Sequence, residues 1–213
     1  MSKYDSDYHD KFDSTDQTIS YDEARRRMPT IQLIENEDIR FDVQRLTSFA
    51  PEYFWIRPGS YSEYHNGFRH GLWLHTLKLS TVIDRLFDSY ANRYELEPLH
   101  RDYAHAAAIL HDQWKNGPHP ESDRTNYKGN HATVAADVVR EYSDLSDVVA
   151  DAIEQHMGSW GDVPLDSSVA KLVHNADMVA SDDAINIGVY EYLPAELEGI
   201  AHKEIERPET TNE

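Results

Sequence analysis

The sequence contains no cysteine, and this absence restricts the chemistry of any functional site. Without thiols the chain forms no disulfide bond and offers no thiolate to a metal ion. Iron–sulfur clusters and zinc fingers that depend on cysteine ligands are therefore excluded. Any metal bound by this chain must be held by imidazole, carboxylate and water.

Basic residues are also scarce. The 213 residues include 39 Asp and Glu against 20 Lys and Arg, which gives a net charge of −19, and only seven of the basic residues are Lys. Such a surface repels a phosphate backbone, so double-stranded DNA is not an expected partner. An acidic, lysine-poor surface favours a halophilic protein that stays soluble at high salt; an ordinary acidic cytosolic protein is the alternative.

Long apolar runs are missing as well. No stretch of about 18 consecutive apolar residues occurs, and the amino-terminal segment MSKYDSDYHDKFDST has no apolar core of the signal-peptide kind. The sequence predicts neither a signal peptide nor a membrane span, and we expect a cytoplasmic protein without a membrane partner. Hydrophobic residues still make up 39 % of the chain, enough for one globular core.

The chain divides by composition into a polar beginning, a folded body and a polar end. The beginning is rich in Asp, Ser, Tyr and Thr and predicts a mobile acidic tail. The run Arg25, Arg26 and Arg27 beside it is interpreted as a solvated or self-paired cluster, without a function. The expected segments are a tail (1–23), a helical and aromatic segment (24–58), the main domain (59–190), and a short helix with a polar tail (191–213).

Apolar residues recur at helical spacing through the body, and no alternating strand pattern is visible. The sequence therefore predicts an all-α fold. Residues 52–66 carry Tyr53, Phe54, Trp55, Tyr61 and Tyr64, broken by Pro and Gly, and predict a loop whose aromatic side chains either pack on the domain or stack on a base. A second long loop is predicted over 116–130. The predicted helices cover 38–50, 68–90, 98–112, 131–142, 145–157 and 166–184, and a further short helix is predicted within 194–206. Asp166 is the predicted N-cap of the helix over 166–184.

Several of the 12 histidines lie inside these apolar helical segments. A histidine that faces a helical core must be hydrogen-bonded or bound to metal, because an unpaired buried polar group costs about 1–3 kcal/mol. Adjacent side chains of a helix point about 100° apart, so a His-Asp pair reaches one ion only near a helix end. The residues that call for a metal ion or a hydrogen-bond partner are His75, His111 with Asp112, His131, His156 and Asp177. Each lies on a different predicted helix or at its end.

These residues lie in stretches that resemble the HD superfamily of metal-dependent phosphohydrolases. A lone His-Asp pair is weak evidence, but five stretches in family order over residues 60 to 185 are specific. The resemblance implies a single HD-domain helical bundle with a central metal site. The stretches are His70-Gly71-Leu72-Trp73-Leu74-His75, His111-Asp112 followed by Lys115, Gly129-Asn130-His131, Ile153-Glu154-Gln155-His156, and Leu172-Val173-His174-Asn175-Ala176-Asp177.

The resemblance also implies roles for single residues. His75, His111, Asp112 and Asp177 match the four ligands of the principal metal site of the family. His131 and His156 match the two further histidines of its two-metal branches, in which the Asp of the pair bridges the ions.

The same resemblance points to residues that meet substrate. Lys115 matches a lysine that is expected to contact substrate phosphate, so Asp112 and Lys115 are the predicted catalytic residues. His65 resembles a histidine of the exoribonuclease-like and relaxase-associated branches. His65 and Arg69 are further candidates for substrate binding.

The donor types agree with this interpretation. Imidazole and carboxylate ligands suit one or two ions of Mn²⁺, Fe²⁺, Co²⁺, Ni²⁺ or Zn²⁺ better than Mg²⁺ alone, and such ions activate water for attack on phosphorus. Structural alternatives remain for single residues. His111 and Asp112 could cap their own helix, Lys115 could serve the helix dipole, and Trp114 could be a packed indole or stack on a base. His70, His105 and His174 are predicted to lie in the core or to orient ligands.

Three functions follow from this site. The first is a phosphohydrolase acting on a small phosphorylated substrate such as a nucleotide. The second is a 3′-5′ exonuclease on single-stranded nucleic acid, which needs a basic or aromatic track such as Arg57, Arg69, Lys128 and the aromatic residues of 53–64. The third is a sensor or scaffold that binds metal without turnover. The ligand set favours the first, because it looks complete and no separate nucleic-acid or signalling module is visible.

Overall fold

The computed structural model describes residues 17–60, 66–117, 130–182 and 193–197. Within these ranges the fold is all-α, as predicted, and contains no strand. Two 3-10 helices, Pro29–Leu33 and Gly158–Trp160, accompany the longer elements. The α-helices, numbered in chain order, are α1 (Tyr21–Arg27), α2 (Glu37–Ser48), α3 (Glu52–Ile56), α4 (Gly71–Tyr94), α5 (Pro98–Leu110), α6 (His131–Tyr142), α7 (Asp147–Gln155) and α8 (Ser168–Ala180).

Helices α4, α5 and α8 form the centre of the bundle. Helix α4 packs against both α5 and α8, and α7 packs against α5, α6 and α8. Leu72, Leu79 and Ile83 of α4 are fully buried, as their 3.6-residue spacing predicts. This arrangement brings the carboxyl end of α5 into the middle of the molecule. No described helix has the length and apolar character needed to cross a membrane.

The amino-terminal prediction is wrong at its inner boundary. The tail expected over 1–23 cannot extend to residue 23, because helix α1 begins at Tyr21 with Ser20 as its side-chain cap. Before it, the Thr18 hydroxyl lies 2.8 Å from the carbonyl oxygens of both Ser48 and Ala50, which share its single proton. These tertiary bonds have no signal in local composition, which explains the error. Residues 1–16 lie outside the described residues.

The aromatic segment at 52–66 also differs from its prediction. Residues 52–56 form helix α3 instead of a loop, because Pro51 takes the N-cap position and Pro58 follows the last turn. Tyr53, Phe54 and Trp55 are buried in the core, so packing and not base stacking is their role. The expected aromatic residues Tyr61 and Tyr64 lie outside the described residues.

Smaller corrections concern helix ends. Ser167, not Asp166, caps α8, and its hydroxyl accepts from the amide of Ala170. The helix ends at Ala180, four residues before the predicted end, with Ser181 as the C-cap. Ser146 caps α7, which therefore begins at residue 147 instead of 145.

Of the predicted arginine cluster, Arg26 and Arg27 pair with Glu23, and Arg26 also pairs with Glu196.

Candidate metal centre

The predicted ligands converge from five helices. The side chain of His75 comes from the second turn of α4, and Asp177 comes from α8, which packs on α4. His111 is the C-cap of α5, and Asp112 follows it in a turn, so both can face one point. The remaining two also lie at helix ends, since His131 is the first residue of α6 and His156 is the C-cap of α7.

Two groups of possible metal ligands share one residue. His75, His111 and Asp112 form the first triad, and Asp112, His131 and His156 form the second. Within each triad the candidate ligand atoms all lie within 4.8 Å of one another. Asp112 is common to both triads. The geometry therefore suits a pair of ions that share the Asp112 carboxylate.

Asp177 is not a member of either triad, but it lies beside the first one, next to His75. Its Oδ1 lies 2.8 Å from Nε2 of His75. In the second triad, His131 Nε2 lies 3.4 Å from Asp112 Oδ1, and in the first triad His111 Nε2 lies 3.4 Å from Asp112 Oδ2. The two oxygens of Asp112 thus face opposite imidazoles, as a shared carboxylate requires.

Backbone hydrogen bonds fix which nitrogen of two histidines is available. His111 Nδ1 lies 2.8 Å from the carbonyl oxygen of Ala108, and His156 Nδ1 lies 2.6 Å from that of Ile153. A carbonyl only accepts, so Nδ1 carries the proton in both rings. In the neutral ring, Nε2 then presents its lone pair to the cluster. This orientation of imidazole by a backbone carbonyl is usual for metal ligands.

Buried polar atoms at the centre fit a cation. His111 Nε2, His131 Nε2 and Asp112 Oδ1 have no hydrogen-bond partner among the described residues. Leaving such groups buried and unsatisfied costs free energy, and all three atoms are electron-pair donors in the neutral or anionic state. A divalent ion satisfies these donors together, whereas a hydrogen-bond acceptor does not.

The electrostatics keep His131, His156 and Asp112 in the protonation states that metal binding needs, whereas at His111 they favour the proton that a metal ion would displace. Burial lowers the pKa of His131 to about 3 and that of His156 to about 4, since desolvation disfavours the imidazolium ion. Burial acts against ionisation of Asp112, but Lys115 and His111 outweigh it and hold the pKa of Asp112 well below its usual range. For His111, burial is outweighed by the Asp112 carboxylate, so its pKa is raised.

Lys115 occupies a position beside the shared carboxylate. Its Nζ lies 2.5 Å from Oδ2 of Asp112, and its side chain is only 16 % exposed. The ammonium group therefore forms a charge-assisted bond to Asp112 instead of serving the dipole of α5. Arg69 is exposed in the turn before α4, and its part in substrate binding stays a prediction. His65 lies outside the described residues.

A protein-family model for the HD domain matches residues 72–182, more than half of the chain. The chain belongs to the HD domain family. HD domains bind divalent metals and are generally metal-dependent phosphohydrolases. The matched region of this HD domain spans α4 to α8 and contains all six residues of the cluster. No curated protein and no solved structure matches the chain.

The other predicted histidines take structural positions. His70 Nδ1 donates to the carbonyl of Trp55 at 2.6 Å, and His105 is fully buried with Nε2 3.0 Å from Asp84. Trp114 is 1 % exposed, which agrees with a packed indole. His174 is different, because its Nδ1 donates at 2.6 Å to the backbone carbonyl of His156. It therefore fixes the residue that supplies one ligand of the second triad.

Gly158 makes the contact between His174 and this ligand turn possible. Its φ of +54° is one that L residues with side chains rarely adopt, and a Cβ there would lie 2.7 Å from Cε1 of His174. The sequence shows that Gly158 follows two residues after His156, but it does not show that the His174 ring of α8 lies so close to this glycine. The need for glycine arises from the tertiary packing of the His174 ring.

Replacing His174 is expected to weaken the second triad selectively. In His174→Ala the carbonyl of His156 loses its donor, so we expect metal affinity at the second triad to fall about 10–100-fold, the usual effect of losing a group that orients a ligand. Metal at the first triad should remain. Metal content after dialysis at graded free-metal concentrations measures the affinity of each triad. His100→Ala, which removes a cap at the start of α5, is the matched control. Equal loss of metal from both triads would contradict a role of His174 confined to the second triad.

Proposed function

We propose that this HD domain hydrolyses a phosphoester of a small phosphorylated substrate, such as a nucleotide, with divalent metal held by the six-residue cluster. The observation that carries the proposal is the pair of triads that share Asp112. A structural role alone gives no reason for four imidazoles and two carboxylates to meet at buried or half-buried positions with several donor atoms unsatisfied. The catalytic roles fall to Asp112 and Lys115.

The donor set indicates which ions fit. His75, His111, Asp112 and Asp177 would hold the first ion, and His131 and His156 would hold a second with Asp112 shared. Imidazole-rich ligands favour Mn²⁺, Fe²⁺, Co²⁺, Ni²⁺ or Zn²⁺ over Mg²⁺. Ions held there would supply water of lowered pKa and would take up charge on the phosphoryl oxygens.

The chain's own groups prepare the site for this chemistry. The carbonyls of Ala108 and Ile153 hold two imidazoles in one tautomer, so no rearrangement is needed before binding. Lys115 supplies an ammonium group beside Asp112, where it can meet a non-bridging phosphate oxygen. In a chain of net charge −19, this lysine and the bound ions provide the local positive charge that an anionic substrate needs.

The proposal is tested on protein stripped with a chelator and reloaded with each metal in turn. Release of phosphate or nucleoside is then followed across nucleotides, cyclic nucleotides and short single-stranded oligonucleotides. We expect no release from stripped protein and release after reloading, most strongly with transition metals. Metal bound without release across the whole panel would support a sensor or scaffold instead. Absence of stoichiometric metal binding would overturn the proposal.

The exonuclease alternative has less support among the described residues. Of the basic and aromatic track that it needs, Tyr53 and Trp55 are buried. Arg57 lies over the Tyr53 ring, 5.4 Å from its centroid. Lys128 lies outside the described residues. Preferential, stepwise cleavage of the oligonucleotides in the same panel would favour this alternative.

Lys115→Met is expected to separate phosphate recognition from metal binding. Loss of the ammonium group should lower kcat/KM about a hundredfold, because a group that neutralises phosphoryl charge is removed from a buried site. Metal affinity should be kept or increased, since Lys115 no longer competes for Oδ2 of Asp112. Steady-state kinetics and metal titration measure the two effects. Lys171→Met on α8 is the control. Loss of metal from Lys115→Met would instead assign the lysine to support of Asp112.

A further inference from the structure

The turn that follows helix α5 carries the shared ligand and the lysine beside it. It begins at Asp112 and includes Lys115, whose ammonium group lies 2.5 Å from the Asp112 carboxylate. Within the turn, the Lys115 amide donates to the Asp112 carbonyl. The Gly117 amide donates to the Trp114 carbonyl. These bonds set the shape of the turn, whereas contacts with other helices set its position on the bundle.

Tyr53 of α3 holds the far end of this turn through both capacities of its hydroxyl group. The hydroxyl donates a hydrogen bond of 2.6 Å to the Gly117 carbonyl and accepts one of 3.1 Å from the Asn116 amide. Tyr53 and Asn116 are both buried, so water does not readily replace a bond that is lost here. Asn116 directly follows Lys115 in the chain. The hydroxyl therefore fixes the backbone next to the lysine.

A bond from α2 holds the beginning of the same turn. The side-chain amide of Gln113, the residue after Asp112, donates a hydrogen bond of 2.9 Å to the Thr47 hydroxyl. It also donates at 3.0 Å to the carbonyl of Ile109 in α5. Gln113 and Thr47 are fully buried. The turn is therefore held at both ends by helices that precede α4 in the sequence.

Both holding residues lie outside the part of the chain that matches the HD family. The match begins at residue 72, whereas Thr47 and Tyr53 belong to the segment before it. We propose that this segment completes the active site, because Tyr53, supported by Thr47, positions Lys115 for the substrate phosphate. The inference rests on the proposed function, since it takes Lys115 to meet that phosphate. Tyr53 acts through the turn, as a positioning residue.

Loss of the Tyr53 hydroxyl should affect Lys115 more than the metal ligands. Asp112 follows the C-cap of α5 directly, whereas Lys115 lies three residues further along the turn. A displacement of about 1 Å in a group that contacts the reacting atoms can cost about a hundredfold in rate. In Tyr53→Phe we therefore expect kcat/KM to fall at least about tenfold, mainly through kcat, with metal content retained. Thr47→Val should have a smaller effect, since Gln113 keeps its bond to α5.

Hydrogen exchange tests the hold on the turn without any need for turnover. In the metal-free full-length protein, the Asn116 amide should exchange at least about tenfold faster in Tyr53→Phe than in the wild type, because its acceptor is lost. Amides of α8 should exchange at unchanged rates. Tyr103→Phe in α5, which also removes one hydroxyl group, is the matched control and should leave Asn116 unaffected. Unchanged exchange at Asn116 would overturn the inference, as would faster exchange throughout the chain, which indicates general loss of stability.

A double-mutant cycle shows whether Tyr53 acts through Lys115. If it does, the Tyr53→Phe change costs activity only while the lysine is present, so the double variant with Lys115→Met should hydrolyse substrate as fast as Lys115→Met alone. Two losses that multiply would overturn the inference. Failure of the metal-loaded wild type to hydrolyse any substrate would count against the proposed function. The same cycle, measured as affinity of the metal-loaded protein for inorganic phosphate, then decides the inference by itself.

Discussion

Asp112→Asn should release metal from both triads and lower phosphoester hydrolysis by at least about a thousandfold. Loss of a group that merely orients a ligand costs about 10–100-fold, and Asp112 is itself the ligand that both triads share. The amide is nearly isosteric but brings no negative charge, and its NH₂ group meets the imidazoles of His111 and His131. Elemental analysis and the rate of product release measure the two losses.

A stability measurement shows whether the variant fails through metal binding or through the fold. Metal that binds only the folded wild type raises its melting temperature, and this increase should vanish in Asp112→Asn while the metal-free melting temperature stays near that of the wild type. His75→Ala and His131→Ala each disturb a single triad, so each should retain part of the bound metal. Full metal content in Asp112→Asn would refute the shared-ligand arrangement.

Gly71→Ala should have the largest effect on stability. A Cβ at Gly71 would lie 1.9 Å from the carbonyl oxygen of Asn66, which also accepts a hydrogen bond of 2.9 Å from the amide of Gly59. Relief of the overlap needs a backbone shift at the start of α4. We expect a loss of at least about 3 kcal/mol, a fall in melting temperature on the order of 10 °C. Thermal unfolding monitored by circular dichroism measures it.

Gly59→Ala provides the control in the same turn. Its Cβ would lie 3.2 Å from Cβ of Asn66 and 3.4 Å from the carbonyl oxygen of Gly71, distances that a small adjustment relieves. We expect a loss of about 1 kcal/mol or less. Equal destabilisation by the two substitutions would show that the turn tolerates no added methyl group, and would remove the special role of Gly71.

Much of the fold and of the candidate centre follows from the sequence. Helical spacing of apolar residues predicts α2, α4, α5, α6 and α7 within a few residues, because each buries one face against the bundle. The adjacency of His111 and Asp112 also predicts that they lie at a helix end, because neighbouring side chains of a helix point about 100° apart. The structure brings the six predicted ligands together, and their role in holding metal stays a prediction until metal content is measured.

The rest depends on contacts between residues that are distant in sequence. Thr18 bonds to residues about 30 positions away, so composition could not show that the segment from residue 17 belongs to the fold. The approach of Gly71 to Asn66, and of Gly158 to His174, depends on how backbone segments meet.

The shared carboxylate has a thermodynamic consequence. Two ions bound through Asp112 cannot bind independently, since the first changes the charge and the hydrogen bonding of the group that the second needs. Linkage requires the effect to be reciprocal: the factor by which an ion at one triad alters affinity at the other is the same in both directions. If both triads are loaded, a single dissociation constant does not describe metal binding, and the titration curve should deviate from a simple hyperbola.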